Sequence, residues 1–242
     1  MGIYDDTVIV SARYDDDNGE YSGSVHLFVR NNGVWTHEAK LLAPDGSAND
    51  GFGYSVGIYG DTAIIVAWGD NDNGCSSGSV HLFVWNNGVW PHQAKLLAPD
   101  GSAFDCFGHS VGIYGDTAII GAYGDDDNGS ASGSVNVFVR VNDVWPHQAK
   151  LLAPDGSADD DVGYIVGIYG DTVIIGAYGD DDNGSASGSV HLFIRTGVTW
   201  THQAKLVDPD GFTGDEFGLS VNVYNGTIIS GSKSGELYVF ST

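Results

Sequence analysis

Apolar and polar residues alternate along short stretches of this chain with the two-residue period of β-strands. From Ser79 to Trp85, Val80, Leu82 and Val84 alternate with His81, Phe83 and Trp85, giving the segment two distinct faces. Phe52 to Tyr59 and Thr62 to Ala67 are β-branched and aromatic runs separated only by Gly60-Asp61, the signal of a tight hairpin. A polar stretch from Gly69 to Ser77 precedes the third run. Asn86-Asn87-Gly88 then turns the chain into a fourth, Val89 to Leu97, and Ala98-Pro99-Asp100-Gly101-Ser102 ends the unit. Helical periodicity is missing throughout, so the pattern predicts a meander of four antiparallel strands.

The meander recurs. Related strings start at Gly2, Gly57, Gly112, Gly167 and Asn222, each 55 residues after the last. A fixed period of this size marks an array whose units bury their apolar faces only by stacking on one another, and four short strands per unit select the β-propeller among such arrays. The units run 1–51, 52–106, 107–161, 162–216 and 217–242, without a linker, which predicts one all-β propeller domain of five blades over 1–242. The first unit lacks most of its first strand and the last lacks its fourth. Met1 stands where the other copies have Val56, Val111, Val166 and Val221, as expected of a segment cut from a longer array. Two incomplete blades either stand side by side or pair with a neighbouring copy of the chain.

Composition narrows the function. The formal charge of −23, from 32 Asp and Glu against 9 Lys and Arg, excludes a phosphate-backbone partner and favours a cation or a basic protein surface. No run approaches the roughly 20 apolar residues of a membrane-spanning helix, and no signal peptide opens the chain. Catalytic Ser-His-Asp or Cys-His arrangements do not stand out from the repeat, so a non-enzymatic protein is expected.

Phe52-Gly53, Phe107-Gly108 and Phe217-Gly218, followed by Ser-Val and then by Gly121-Ala122 or Gly176-Ala177, resemble the FG-GAP repeat family, best known from integrin α-chain head propellers. The resemblance implies propeller blades, frequent calcium binding, an extracellular or cell-surface setting, and adhesion or ligand recognition rather than catalysis. Integrin-type repeats carry their calcium loop between the first and second strands, where this chain has only Tyr59-Gly60-Asp61. Calcium at that position is therefore not expected.

Acidic residues gather instead between strands two and three, as Asp15-Asp16-Asp17-Asn18-Gly19, Asp70-Asn71-Asp72-Asn73-Gly74, Asp125-Asp126-Asp127-Asn128-Gly129 and Asp180-Asp181-Asp182-Asn183-Gly184. Strand polarity brings the acidic link between blades to the same face. Like charges about 4 Å apart repel by roughly 4 kcal/mol at an effective dielectric near 20, so such carboxylates bind a cation, hold protons or splay into water. Calcium takes six to eight oxygens of this kind, which makes Asp15, Asp17, Asp70, Asp72, Asp125, Asp127, Asp180 and Asp182 candidate ligands. Solvated turn residues are the alternative. The fifth copy has Ser232-Lys233-Ser234 instead and so offers no such site.

Trp35, Trp90, Trp145 and Trp200 recur in a Val/Thr-Trp-Thr/Pro-His motif that continues to Lys40, Lys95, Lys150 and Lys205. They are either sugar-stacking platforms or wedges between blades. Residues unique to one copy, among them Arg13, Glu20, Trp68, Trp85, Phe104 and His109, are scattered along the sequence. Cys75 and Cys106 are also unique and fall in the acidic loop and link of one blade, where a disulfide is sterically possible and two lone thiols are the alternative. A bond there, or glycans at the sequons of Asn128, Asn183 and Asn225, would point to an oxidising compartment. The expected function is an extracellular or surface propeller that binds protein partners or self-assembles, with calcium ordering its acidic loops. The rival is a multivalent lectin.

Overall fold

The computed structural model describes residues 1–241. In the second copy, strands Phe52–Tyr59, Thr62–Ala67, Ser79–Val84 and His92–Leu96 pair antiparallel in chain order. The third copy repeats this with Val111–Tyr114, Thr117–Ala122, Ser134–Val139 and His147–Leu151, and the fourth with Ile165–Tyr169, Thr172–Ala177, Ser189–Thr196 and Thr199–Leu206. The first blade opens on the short strand Gly2–Tyr4, followed by Thr7–Ala12, Ser24–Asn31 and Val34–Leu41. The fifth has three strands, Ser220–Tyr224, Thr227–Gly231 and Leu237–Ser241. No helix forms among the described residues.

One element is shorter than its sequence suggests. The fourth strand begins at His92 and His147 in the second and third blades, but at Val34 and Thr199 in the first and fourth. Pro91 and Pro146 stand where the longer strands have Thr36 and Thr201, and a proline has no N–H to give the ladder.

The core lies between sheets. Ile9, Val25 and Leu27 of the first blade pack on Phe52, Ala63, Ile65 and Phe83 of the second. Ile64, Val80 and Leu82 pack in the same way on Phe107, Ala118, Ile120 and Phe138 of the third, and the pattern continues through the fifth. First strands line the inner edge, where Tyr4, Tyr59, Tyr114, Tyr169 and Tyr224 form a ladder with ring centroids 4.6 to 4.9 Å apart. Between blades the backbones approach closely at one repeated position. A Cβ on Gly69, Gly124 or Gly179 would lie 2.2, 2.2 or 2.0 Å from the carbonyl oxygen of Asn49, Phe104 or Asp159.

The two ends of the stack are uncovered. Ile229, Leu237 and Val239 of the fifth blade are 37%, 67% and 64% exposed, whereas their fourth-blade equivalents Ile174, Val190 and Leu192 are buried. At the other end Ile3 is exposed while Ile58 is buried.

Gly124→Ala is expected to cost about 3 kcal/mol of stability, because neither backbone can yield without parting the blades. Urea denaturation checks this, and a loss below about 0.5 kcal/mol, the scale of ordinary surface substitutions, would mean that the approach is not tight.

Candidate functional site

The acidic loops are built as self-contained turns. Asp70 Oδ1 accepts from the Asp72 N–H at 2.9 Å and its Oδ2 from the Ser79 hydroxyl at 3.0 Å. Asn71 Oδ1 accepts from the Ser76 N–H at 2.8 Å. Asn73 donates from Nδ2 to Ala98 O at 3.3 Å, tying the loop to the link that leads to the next blade. The same bonds recur around Asp15, Asp125 and Asp180. Loop and link therefore emerge together on one face, as strand polarity requires.

At the centre of the carboxylates stands a lysine. Lys95 Nζ lies 2.7 Å from Asp70, 2.8 Å from Asp72 and 2.7 Å from Asp45, the last belonging to the preceding blade's link. Lys150 joins Asp125, Asp127 and Asp100, and Lys205 joins Asp180, Asp182 and Asp155. In the first blade Lys40 holds Asp15 and Asp17 at 2.9 and 2.6 Å. Partial burial works against the Lys95 ammonium, but the hydrogen bonds it donates to the three carboxylates outweigh it and hold the group above its ordinary range. Lys40 beside Asp15 brings that carboxyl down to about 2.

The carboxylates of Asp45, Asp70 and Asp72 converge closely enough to hold a cation, and the Lys95 ammonium stands among them, so an ion shared by the three would have to displace it. The signal was present in the sequence as the lysine of every Ala-Lys-Leu, which lies 23 residues after the last loop aspartate and, from the second copy on, 50 after a link aspartate.

The recurring tryptophans divide by position. Trp90 and Trp145 are 9% and 5% exposed, and Trp200 is half-buried. Each indole donates from Nε1 across the blade boundary, Trp145 to Gln93 Oε1 at 2.8 Å and Trp200 to Gln148 Oε1 at 2.9 Å. Gln93 is the extra residue of a β-bulge, since Leu82 pairs with Ala94 and Phe83 with His92. The buried rings are wedges and offer no face to a sugar. Only Trp35 is largely open, at 42% exposure, with Arg30 over its ring.

Cys75 and Cys106 are separate thiols, exposed and buried respectively. Burial pushes the Cys106 thiol up, and it pairs with the hydroxyl of Tyr123. That contact commits the sulfur to the blade boundary, away from the disulfide that loop proximity alone permits.

His81 and His191 are fully buried behind the lysines, with Nδ1 3.1 and 3.2 Å from Nε2 of His92 and His202. Burial lowers each from 6.5 to about 4, so both are neutral at pH 7.

The copy-specific residues come together where sequence order scatters them. Arg13 and Trp68 occupy one repeat position, held by Tyr123 and Tyr178 in later copies. Tyr54, His109 and Tyr164 occupy another. These two sets form a continuous aromatic rim on the acidic face: Tyr54 meets Trp68 at 5.6 Å and His109 at 5.4 Å, and His109 meets Tyr164 at 4.3 Å and Tyr123 at 4.7 Å. Tyr54 Oη lies 3.0 Å from His109 Nε2. At one end of the rim a cavity of about 410 Å³ opens between the first two blades, lined by Arg13, Tyr14, Tyr21, Asn49, Trp68 and Asn71, with Cys75 at its edge. Trp85 and Phe104 lie elsewhere, Trp85 beside the Gly60-Asp61 turn on the opposite face.

The chain belongs to the FG-GAP repeat family, whose model matches residues 2–28, 35–83, 90–138, 145–193 and 200–240. Among solved structures, the computationally designed Ika4 protein is similar, with 15% identity over 78% of this chain and 90% of that one and a TM-score of 0.44. No curated protein matches the sequence.

Two outcomes follow. Lys95→Met is expected to cost about 3 kcal/mol, the scale of stripping one partner from a largely buried ion pair, while a chelator leaves the unfolding midpoint of the parent protein in place. A midpoint that falls with the chelator would restore a metal to the loops. Because a proton must be forced onto His81 in the folded state, its stabilising contribution is complete above pH 6.5 and is lost as the pH falls toward about 4. His81→Asn, the residue found in this place at Asn136, is expected to lose less stability between pH 7 and 4.5 than the parent; equal losses in thermal melts would remove His81 from the acid response.

Proposed function

We propose that this chain is a non-catalytic extracellular recognition module which binds its partner on the acidic face, at the rim where its blades differ. The supporting observation is spatial. Copies that agree closely in their strands diverge at Arg13, Trp68 and Cys75, which line one cavity, and at His109, which joins the aromatic rim beside it through Tyr54. A structural role would use the same residue in every blade. Aromatic rings backed by a rigid sheet stack form a low-entropy contact surface of the kind that dominates recognition sites.

The acidic loops serve this function by being finished. In the second to fourth blades one lysine per site pairs with carboxylates of the loop and the preceding link, which ties together the ground on which the rim stands. Assembly by adding blade to blade is the weaker reading. Tyr14 stands at the position of Gly69, Gly124 and Gly179, where close blade contact leaves no room for a Cβ.

The test is an array of glycans and extracellular proteins probed with the parent protein, Trp68→Ala and Trp85→Ala. Both tryptophans are partly exposed, at 38% and 44%, and they lie on opposite faces. Binding that falls roughly tenfold or more in Trp68→Ala, as loss of an aromatic anchor does, and persists in Trp85→Ala is the expected result. Binding that follows Trp85 instead, or an array with no signal, ends the reading.

A further inference from the structure

The chain has 9 Lys and Arg among 32 Asp and Glu, and all but one of these cations have a carboxylate within salt-bridge distance among the described residues. The exception is Arg13. Its guanidinium lies 4.5 Å from the ring centroid of Tyr14 and 5.6 Å from that of Tyr54, and it donates to the Tyr14 hydroxyl. In a protein so rich in carboxylates, an arginine held on aromatic faces without an acidic partner is a fork kept open for an anion from outside.

Its surroundings specify more than charge. Arg13 lines the 410 Å³ cavity together with the part-exposed ring of Trp68, the exposed rings of Tyr14 and Tyr21, and the amides of Asn49 and Asn71. Asn71 Oδ1 already accepts from the Ser76 N–H, which leaves its NH₂ as a donor. The volume falls within the usual range for small-ligand pockets, about 300–1,000 Å³. Aromatic faces suit the C–H face of a pyranose, amides suit its hydroxyls, and a guanidinium suits a carboxylate. A flexible acidic peptide would use the guanidinium but not this combination of flat rings and lateral amides. Tyr14, which replaces the glycine of the other blades, adds its ring to the cavity lining.

We infer that the cavity between the first two blades binds a carboxylated sugar, a uronic-acid unit of an acidic glycan, with Arg13 on the carboxylate and Trp68 under the ring. The inference rests on the recognition reading above and assigns the ligand class of that site.

The experiment titrates the parent protein with a glucuronate-containing disaccharide, a neutral glucose disaccharide and a short oligoglutamate peptide. Calorimetry and the indole N–H resonances are followed in 0.15 M salt, where charge repulsion beyond about 8 Å is screened. The uronate disaccharide is expected to bind and to shift one indole signal that is absent from Trp68→Ala. Arg13→Gln is expected to weaken it roughly tenfold or more, the loss of a charge-assisted hydrogen-bonded pair. Arg13 is placed at the surface, and an unchanged thermal midpoint verifies that Arg13→Gln is folded. Equal binding of the neutral sugar, undiminished by Arg13→Gln, would overturn the carboxylate assignment. Binding of the peptide but not the uronate would overturn the sugar. In both cases recognition at the rim survives. Silence of all three probes beside a Trp68-dependent signal on the array overturns the ligand class alone, while silence on both overturns the site.

Discussion

Every blade here depends on burial against the next. A single four-stranded sheet has two faces, and in this chain both are apolar, so an isolated blade would leave its whole core in water. Ile64 and Ile65 are adjacent residues of one strand, yet both are fully buried, because one packs on the third blade and the other on the first. Burying an aliphatic side chain of this size is worth about 1.5–3 kcal/mol, and every boundary gathers several such residues. The end blades show the converse, since Ile229 and Val239 repeat buried positions and are left open.

That constraint explains why polar chemistry is confined to the edges of the sheets. The strands must stay apolar on both sides, and so charge collects in the loops, where it would be self-repelling at a net of −23. The lysine of each outer strand answers this by reaching over the edge into its own blade's loop and the preceding blade's link. One ammonium thereby offsets part of the charge of a loop and fastens two blades. Trp145 on Gln93 does the same at the outer rim with a neutral bond. With loops fixed by such repeated bonds, the non-repeated Arg13, Trp68 and His109 meet along the acidic face, while Trp85 lies on the opposite one.

The rim's histidine, His109, is lowered by burial and held between the hydroxyl of Tyr54 and the carbonyl of Tyr164, so it serves to fix rings in place. The aromatic residues are stacked on one another and oriented by the sheet ends beneath them. Such a surface presents flat apolar area with few rotatable parts, which favours binding.

The sequence by itself determined the strands, the number of blades and the side on which the acidic loops emerge, because period-two alternation and a fixed repeat are local properties that survive any arrangement of the units; it left the tryptophans open between platforms and wedges. It also placed proline at the outer strand of two blades, although the shortening this causes becomes plain only beside the threonine copies. Tertiary structure alone decided what fills the acidic loops, since Lys95 is distant in sequence from both Asp45 and Asp72 and only the radial stack brings them together. It likewise brought Arg13 and Trp68 to one cavity and joined them through Tyr54 to His109. Contacts between neighbouring blades join residues about one repeat apart, and no pattern within a single repeat encodes which of them will meet.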